Sequence, residues 1–347
     1  MAQATLNPLG TFGSSGYLTP PVGTYLTVSG DGQRGLGYDS VLNRLYLISS
    51  RSAGTVQILD GDTGAAGSTL STGGIITGGT AALNVLGVAD DGAIYAANLT
   101  TAASGSSPLK VYRWASAAAT PTLIYSDSSS NLRYGDSIDV RGSGASTQII
   151  LATGTAVVPR ITILTTADGS AFSGTTLVPD FVAATGAFRQ GLSFGAGNTI
   201  FAKQTGSGNP LYSLSFDVGA GSLSSNFAVP TSVISSSIGA LGVDVANGIL
   251  VGLQGETAND TVRVFQLNSL SSSSAPVSDT ETFAANNANG SAIGAVAAGG
   301  NRVYILDVNN GIGAFDVIAV PVPEPGTLAL AALGAGLLVR GLRRKTS

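Results

Sequence analysis

The residue types that most often carry enzyme chemistry are scarce in this chain. It contains no His and no Cys, so the usual general base and the usual thiolate nucleophile are both absent. Glu occurs only at Glu256, Glu281 and Glu324, which leaves little for a pair of catalytic carboxylates. Ser137, in the stretch GDSIDV, has no partner base for nucleophilic attack. We therefore expect a protein that is not an enzyme and that holds no metal and no cofactor.

Aspartates are the remaining candidates for binding a cation. Asp60–Gly64 (DGDTG) places oxygen ligands at alternate positions, as a calcium loop does, but no downstream Glu completes the loop. Asp39, Asp90, Asp139 and Asp244 recur at related places along the chain and could form a ring of cation ligands. Both sets also suit tight turns, in which Asp and Gly satisfy the backbone. We favour the turns and keep the cation ring as an alternative.

The composition is typical of a weakly charged β protein. Only 10% of the 347 residues are charged, 44% are hydrophobic, and 48 are Gly. Short strands separated by Gly, Asn and Ser turns fit this composition better than helices do. The net charge is -4, and basic residues are concentrated only at the very end of the chain. We therefore expect no binding to nucleic acid.

A motif of the form Leu-Gly-apolar recurs six times, at intervals of 49 to 54 residues. Each copy is followed by a second apolar run, a third run that alternates in polarity, and in five copies a weaker fourth run. Four short strands in a repeat of about 50 residues are typical of a propeller blade. The sequence thus predicts an all-β fold, a six-bladed β-propeller over residues 25–320. The six copies begin at Leu36, Leu86, Ile138, Leu192, Leu241 and Ile293.

One strand must close the predicted ring, because the sixth repeat has three strands and then reaches Pro321. An unassigned apolar run, Tyr25–Val28 (YLTV), stands just before the first repeat. We predict that it completes the last blade, since an open ring would leave a long unpaired edge. Residues 1–24 are then predicted to be an N-terminal arm. Val56–Leu70 (VQILDGDTGAAGSTL) resembles the strand, turn and strand of YVTN- and NHL-type propeller repeats, which supports the same fold.

The last segment, residues 321–347, differs from everything before it. Pro323, Glu324 and Pro325 form a stiff extended piece, because each Pro fixes φ and disfavours helix at the residue before it. Leu328–Val339 is an apolar run of twelve residues, for which we predict a short apolar helix. A basic cluster follows and is expected to stay on the cytoplasmic side of a membrane. The cluster comprises Arg340, Arg343, Arg344 and Lys345.

These three parts, in this order and at this end of the chain, resemble a PEP-CTERM sorting signal. The resemblance covers about 26 residues. It implies export, transient anchoring in the inner membrane through the tail, recognition by a membrane-bound exosortase, and cleavage near Pro323–Pro325 with release or attachment at the surface. It also implies a final place at the cell surface or outside the cell, in bacteria that make exopolysaccharide and biofilm. Exosortase is thus an expected partner, and exopolysaccharide or other surface proteins are further candidates.

The sequence favours a non-catalytic scaffold, for structure or binding, at the cell surface or in the extracellular matrix. Two alternatives stay open. One is a subunit of an extracellular fibre, in which residues 5–24 reach a neighbouring copy. The other is an extracellular propeller enzyme of the lactonase or lyase type, which the absence of His and the scarcity of Glu disfavour.

Overall fold

The computed structural model describes residues 3–154, 156–255, 258–284 and 294–320. Within these ranges the chain is built of β-strands and two single-turn 3-10 helices, Gly144–Ser146 and Leu267–Ser269. The all-β prediction is therefore confirmed. The strands of the first half are β1 (Gln3–Pro8), β2 (Tyr17–Leu18), β3 (Leu36–Asp39), β4 (Arg44–Ser50), β5 (Thr55–Asp60), β6 (Ala66–Thr69), β7 (Ala81–Val88), β8 (Ile94–Leu99), β9 (Leu109–Trp114), β10 (Thr122–Asp127), β11 (Ile138–Arg141), β12 (Gln148–Ala152), β13 (Ile161–Thr166) and β14 (Phe172–Pro179).

The second half continues the same pattern. Its strands are β15 (Gly191–Phe194), β16 (Thr199–Lys203), β17 (Leu211–Asp217), β18 (Ser222–Val229), β19 (Ile238–Asp244), β20 (Ile249–Gln254), β21 (Thr261–Gln266), β22 (Val277–Thr282), β23 (Gly294–Gly299), β24 (Arg302–Asp307) and β25 (Gly311–Val320).

The described strands pair into five hydrogen-bonded sheets. Three are four-stranded and antiparallel, in the orders β3-β4-β5-β6, β7-β8-β9-β10 and β19-β20-β21-β22. The runs β11–β14 and β15–β18 have the same internal order but share one eight-stranded sheet, because β14 and β18 form a short parallel pair. That pair joins Val178–Pro179 to Ser222–Leu223. The strand pairing therefore does not show the six separate sheets that a six-bladed propeller predicts.

The first strand of each four-stranded run faces a common axis. Strands β3, β7, β11, β15, β19 and β23 contact one another in this order, and β23 returns to β3. The apolar core is divided in the same way, since each cluster of buried side chains joins two neighbouring runs. One such cluster, for example, packs Tyr46 and Ile48 of β4 against Leu86 of β7 and Ile94 of β8. The fold is thus propeller-like.

The glycine of the Leu-Gly motif permits the close approach of these first strands. A Cβ on Gly87 would lie 2.7 Å from Cγ2 of Val140, and one on Gly242 would lie 2.5 Å from Cγ1 of Val296. In both cases the valine belongs to the first strand of the following run, and its short side chain cannot move aside. The space that a side chain would fill is already occupied by the neighbouring run.

The ring is closed by β1, so the prediction that Tyr25–Val28 closes it is wrong. Strand β1 pairs antiparallel with β25 over its full length, from Gln3 opposite Val320 to Pro8 opposite Phe315. The short strand β2 pairs with the other end of β25. Residues 1–24, predicted to be an arm, thus contain two strands of the last sheet.

Contacts to the neighbouring sheet explain why β1 holds this place. Ala4 and Leu6 are buried between the last two runs of strands. The Leu6 amide donates to the Asp279 carboxylate, and the Gln266 side-chain amide donates to the Ala4 carbonyl at 3.0 Å. Leu26, in the predicted closing strand, instead makes a single bridge with Val22.

The predicted apolar helix over Leu328–Val339 lies outside the described residues. In the ranges that the structure does describe, no helix is long and apolar enough to cross a bilayer.

Replacement of Gly87 tests the close approach at the axis. We expect Gly87→Ala to lower the free energy of unfolding by about 1–3 kcal/mol, because the new methyl group overlaps Val140. Chemical denaturation measures this change. Gly67→Ala is the matched control, since Gly67 lies on an exposed strand where a Cβ meets its nearest atom at 3.6 Å. An equal loss in both variants would contradict the close packing of Gly87 against Val140.

Replacement of Leu6 tests the closing strand. We expect Leu6→Ala to lower the free energy of unfolding by about 2–5 kcal/mol, because it removes a buried side chain between two sheets. The control is Val28→Ala in the predicted closing strand, where the side chain is 44% exposed and the change should stay within about 0.5 kcal/mol. Denaturation measures both losses of unfolding free energy. A larger loss for Val28→Ala than for Leu6→Ala would indicate that Tyr25–Val28 closes the ring and would contradict closure by β1.

Candidate functional site

A small cavity opens on the axis where the first strands begin. Its volume is about 60 Å³. Its walls come from the first strands of all six runs, and include the apolar side chains of Leu86, Leu192, Leu241 and Val296. Polar side chains stand at the starts of the strands. We call this opening, with the polar residues that surround it, the axial mouth.

The polar residues of the axial mouth occupy equivalent places in the repeats. Each stands two residues before the first residue of a Leu-Gly motif, and together they are Arg34, Asn84, Asp136 and Gln190. In the fifth repeat Gly239 takes this place. Alignment of the repeats brings these residues into one column, but their differing types did not mark them as a site in the sequence.

Asp136 is the acidic centre of the mouth. Its carboxylate receives two hydrogen bonds from the Arg133 guanidinium, at 2.6 and 2.7 Å. Nε of Arg189 lies 3.4 Å from the same carboxylate. The Asp136 side chain is only 6% exposed, so water screens these ion pairs weakly. A carboxylate held between two guanidinium groups is a structural counter-charge and a poor general base.

Asn84 connects a third arginine to the mouth. The Arg51 side chain donates from Nε to Oδ1 of Asn84, and Nδ2 of Asn84 donates to the Gly135 carbonyl. Arg51 also donates to the Asp31 carbonyl at 3.4 Å. The amide of Asn84 therefore ties the second run to the third and fixes the position of a guanidinium.

Arg34 completes the group of positive charges. Burial, together with the nearby Arg51 guanidinium, lowers the pKa of Arg34 to about 10. Burial also lowers the pKa of Arg51. The guanidinium groups of Arg34, Arg51 and Arg133 thus act on one another, and Arg189 joins them through its contact with Asp136. Two carboxylates, those of Asp31 and Asp136, lie among these four groups. The balance at the mouth is +4 against −2, which is a net charge of +2 on a chain whose net charge is -4.

Among the residues that line the cavity, two side-chain atoms are buried without a hydrogen-bond partner in the described part of the chain. They are Nε of Arg34 and Oγ of Ser137. Both residues line the cavity, and Ser137 is 6% exposed. Buried polar groups in proteins are nearly always paired, so two unpaired donors beside one cavity indicate a place for an acceptor. Chemically, this arrangement can bind an anion.

Three aspartates of the predicted set lie at the end of the first strands that is away from the mouth, where Asp39 and Asp244 end their strands and Asp90 follows one, whereas Asp139 is the second residue of β11. Oδ1 of Asp39 accepts hydrogen bonds from the amides of Val41 and Leu42, both at 3.0 Å, within its own turn. Asp244 caps its turn in the same way, through the Asn247 amide at 3.1 Å. These residues serve the turns that we favoured.

Two further aspartates of that set also reach the next run. Oδ2 of Asp90 accepts from the Gly142 amide at 3.1 Å. Oδ2 of Asp139 accepts from the Ser193 hydroxyl at 2.9 Å and from the Phe194 amide at 2.7 Å. Burial raises the pKa of Asp139 to about 6. Within the described ranges, no three acidic side chains come close enough to share an ion.

The remaining sequence candidates fall into two places. Asp60–Gly64 forms a turn, in which Oδ1 of Asp60 accepts from the amides of Asp62 and Thr63. The predicted sorting residues lie outside the described residues. They are Pro323, Glu324, Pro325, Arg340, Arg343, Arg344 and Lys345.

Family models match two parts of the chain. A model of the PEP-CTERM protein-sorting motif matches residues 321–345. A model described as a domain of unknown function (DUF4623) matches residues 13–163. No curated protein matches the chain.

Solved structures resemble the β domain. A DUF4623 family protein from Bacteroides eggerthii has a TM-score of 0.60 at 13% identity, over 84% of this chain and 72% of its own. The PQQ-bound aldose sugar dehydrogenase from Streptomyces coelicolor has a TM-score of 0.51 at 15% identity, over 87% of this chain and 98% of its own. A gluconolactonase from Xanthomonas campestris has a TM-score of 0.51 at 12% identity, over 91% of this chain and 95% of its own.

At these identities the structural likeness shows the fold alone. The sorting motif at residues 321–345 marks the chain as an exported protein that is sorted through the cell envelope. The chain therefore carries a PEP-CTERM sorting motif, which follows a propeller-like β domain.

Proposed function

We propose that this chain is a non-catalytic scaffold of the cell surface or extracellular matrix, delivered there by exosortase and using its axial mouth for binding. The observation that carries the proposal is the PEP-CTERM motif at residues 321–345. A sorting signal supplies an address, and the domain before it supplies the function at that address.

The chemistry of the tail supports transient anchoring in the inner membrane. A helix over the twelve residues Leu328–Val339 would measure about 18 Å, against about 30 Å for the hydrocarbon core of a bilayer. Such a segment is short for a permanent anchor. Arg340, Arg343, Arg344 and Lys345 would hold its end in the cytoplasm, while Pro323–Pro325 stays outside for the sorting enzyme.

The residues of the axial mouth support a binding role over catalysis. The described carboxylate in the cavity wall, Asp136, is held by Arg133 and Arg189 and so is poorly placed to take a proton. The chain has no His or Cys that could take over this work. The enzyme alternative, of lactonase or lyase type, has only the shared fold in its favour.

We also propose that the domain is a six-bladed propeller in which two blades share a hydrogen-bonded edge. The closed order of contacts among β3, β7, β11, β15, β19 and β23 supports six units. The parallel pair between β14 and β18 involves only two residues on each strand, so it links two blades at their rims.

The fibre alternative is weakened by the position of the first residues. Residues 5–24 were its candidate for an arm to a neighbouring copy. Gln3–Pro8 and Tyr17–Leu18 are instead paired with β25 of the same chain, and Phe12 is fully buried. These residues are therefore engaged in the last sheet of their own chain and do not form a detached arm.

Phase partitioning in a nonionic detergent tests the role of the tail. We expect the full chain to enter the detergent phase and a chain that ends at Val320 to remain in the aqueous phase, because only the full chain carries the apolar run.

Removal of the tail is tested in a host that has exosortase. The intact mass of the full chain should show loss of the tail, and substitution of all three residues Pro323–Pro325 by Ala should block that loss. A full chain that stays in the aqueous phase and keeps its tail would contradict the proposal.

A further inference from the structure

We propose that the axial mouth binds a carboxylate group carried by a larger ligand, and that Arg34 and Ser137 are the residues that receive it. The inference rests on the proposed binding role of the mouth and adds the chemical class of the ligand. It is carried by three separate features of the mouth, which are its charge, its unpaired donors and its size.

The charge of the mouth is unusual for this chain. The chain has 16 Lys and Arg residues, of which four lie in the tail, so 16 − 4 leaves twelve. Four of these twelve lie around the mouth, namely Arg34, Arg51, Arg133 and, beside Asp136, Arg189. Concentrating a third of the basic residues of a weakly charged domain at one opening attracts anions to that opening.

The neighbouring carboxylates leave part of this charge uncompensated. Asp136 is shared by Arg133 and Arg189. The Asp31 carboxylate accepts a hydrogen bond from the Asn309 side chain at 2.9 Å. Arg51 donates to the backbone carbonyl of Asp31 instead of to its carboxylate. Arg34 has no ion pair of its own among the described residues. An anion beside Arg34 would therefore supply the missing counter-charge.

The unpaired donors indicate where the anion sits. Nε of Arg34 and Oγ of Ser137 are buried, lack partners in the described ranges, and line the same cavity. A carboxylate has two oxygen atoms in one plane and can accept one hydrogen bond at each. A guanidinium N–H is a strong and directional donor to such an oxygen.

The size and walls of the cavity favour a carboxylate over other anions. A volume of about 60 Å³ admits a carboxylate and its nearest carbon atoms but not an entire sugar ring. Below the polar rim, the walls are formed by apolar residues such as Leu86, Leu241 and Val296. A tetrahedral phosphate would direct an oxygen at these walls, which costs desolvation without a hydrogen bond. A planar carboxylate can keep both oxygens at the rim.

Two sources of this group are distinguishable by experiment, namely the uronic acid of an acidic saccharide and the terminal carboxylate of a peptide. Isothermal titration of the full chain in detergent would use D-glucuronate, N-acetylalanine, inorganic phosphate and D-glucose as probes. We expect at least one of the two carboxylates to bind, more weakly as salt is raised, and D-glucose and phosphate not to bind. Tighter binding of D-glucuronate would indicate an acidic saccharide as the ligand, and tighter binding of N-acetylalanine would indicate a peptide terminus.

Variants then assign the binding to the two residues. Arg34→Gln should weaken carboxylate binding by about tenfold or more, because it removes a charged hydrogen bond. Ser137→Ala should weaken it severalfold and provides a second test if Arg34→Gln does not fold. The matched control is Arg302→Gln, since Arg302 pairs with Asp62 and Asp316 on the surface and should leave binding unchanged.

Each other result overturns the inference. Equal binding of D-glucose, binding of phosphate alone, no binding of either carboxylate, or unchanged affinity in folded Arg34→Gln and Ser137→Ala would all do so. None of these results affects the removal of the tail by exosortase. Failure of the ligand assignment is therefore separable from failure of the proposed surface role.

Discussion

The close approach of the first strands around the axis is the constraint on which the rest of the domain depends. Gly87 and Gly242 leave out a side chain where Val140 and Val296 of the next runs already lie. This packing brings six strands into one ring of contacts and leaves only a cavity of about 60 Å³ between them. The outer strands of each run then extend outward, and their apolar side chains pack between neighbouring runs.

The same convergence creates the axial mouth. Residues that are about 50 positions apart in sequence stand side by side because they occupy equivalent places before the first strands. Arg34, Asn84, Asp136 and Gln190 thus meet at one opening. Charges brought this close in a partly buried place need counter-charges, and Asp136 supplies one that holds Arg133 and Arg189. The electrostatics of the mouth are therefore a consequence of the repeat.

Local patterns in the sequence predicted the strands well and the closure poorly. The Leu-Gly motifs coincide with first strands such as β3 and β19, because the polarity of a strand and the glycine at the axis are both local features. The choice between Gln3–Pro8 and Tyr25–Val28 depends instead on distant contacts, including that of the Leu6 amide with Asp279. Likewise, the importance of Arg34 depends on Arg51 and Asp136, which the sequence places far from it.

Closure of the ring by β1 is the contact that holds the two ends of the domain together, and a disulfide trap tests it most directly. The chain has no Cys, so a double variant Thr5→Cys with Ile318→Cys introduces the only two thiols. Thr5 and Ile318 lie opposite each other in the antiparallel pair of β1 and β25, where Cα atoms about 5.5 Å apart can form a disulfide. Under mild oxidation of the folded protein, peptide mass spectrometry should find this bond in nearly all molecules, and no bond in the double variant Val28→Cys with Ile318→Cys. A bond from position 28 and none from position 5 would contradict closure by β1.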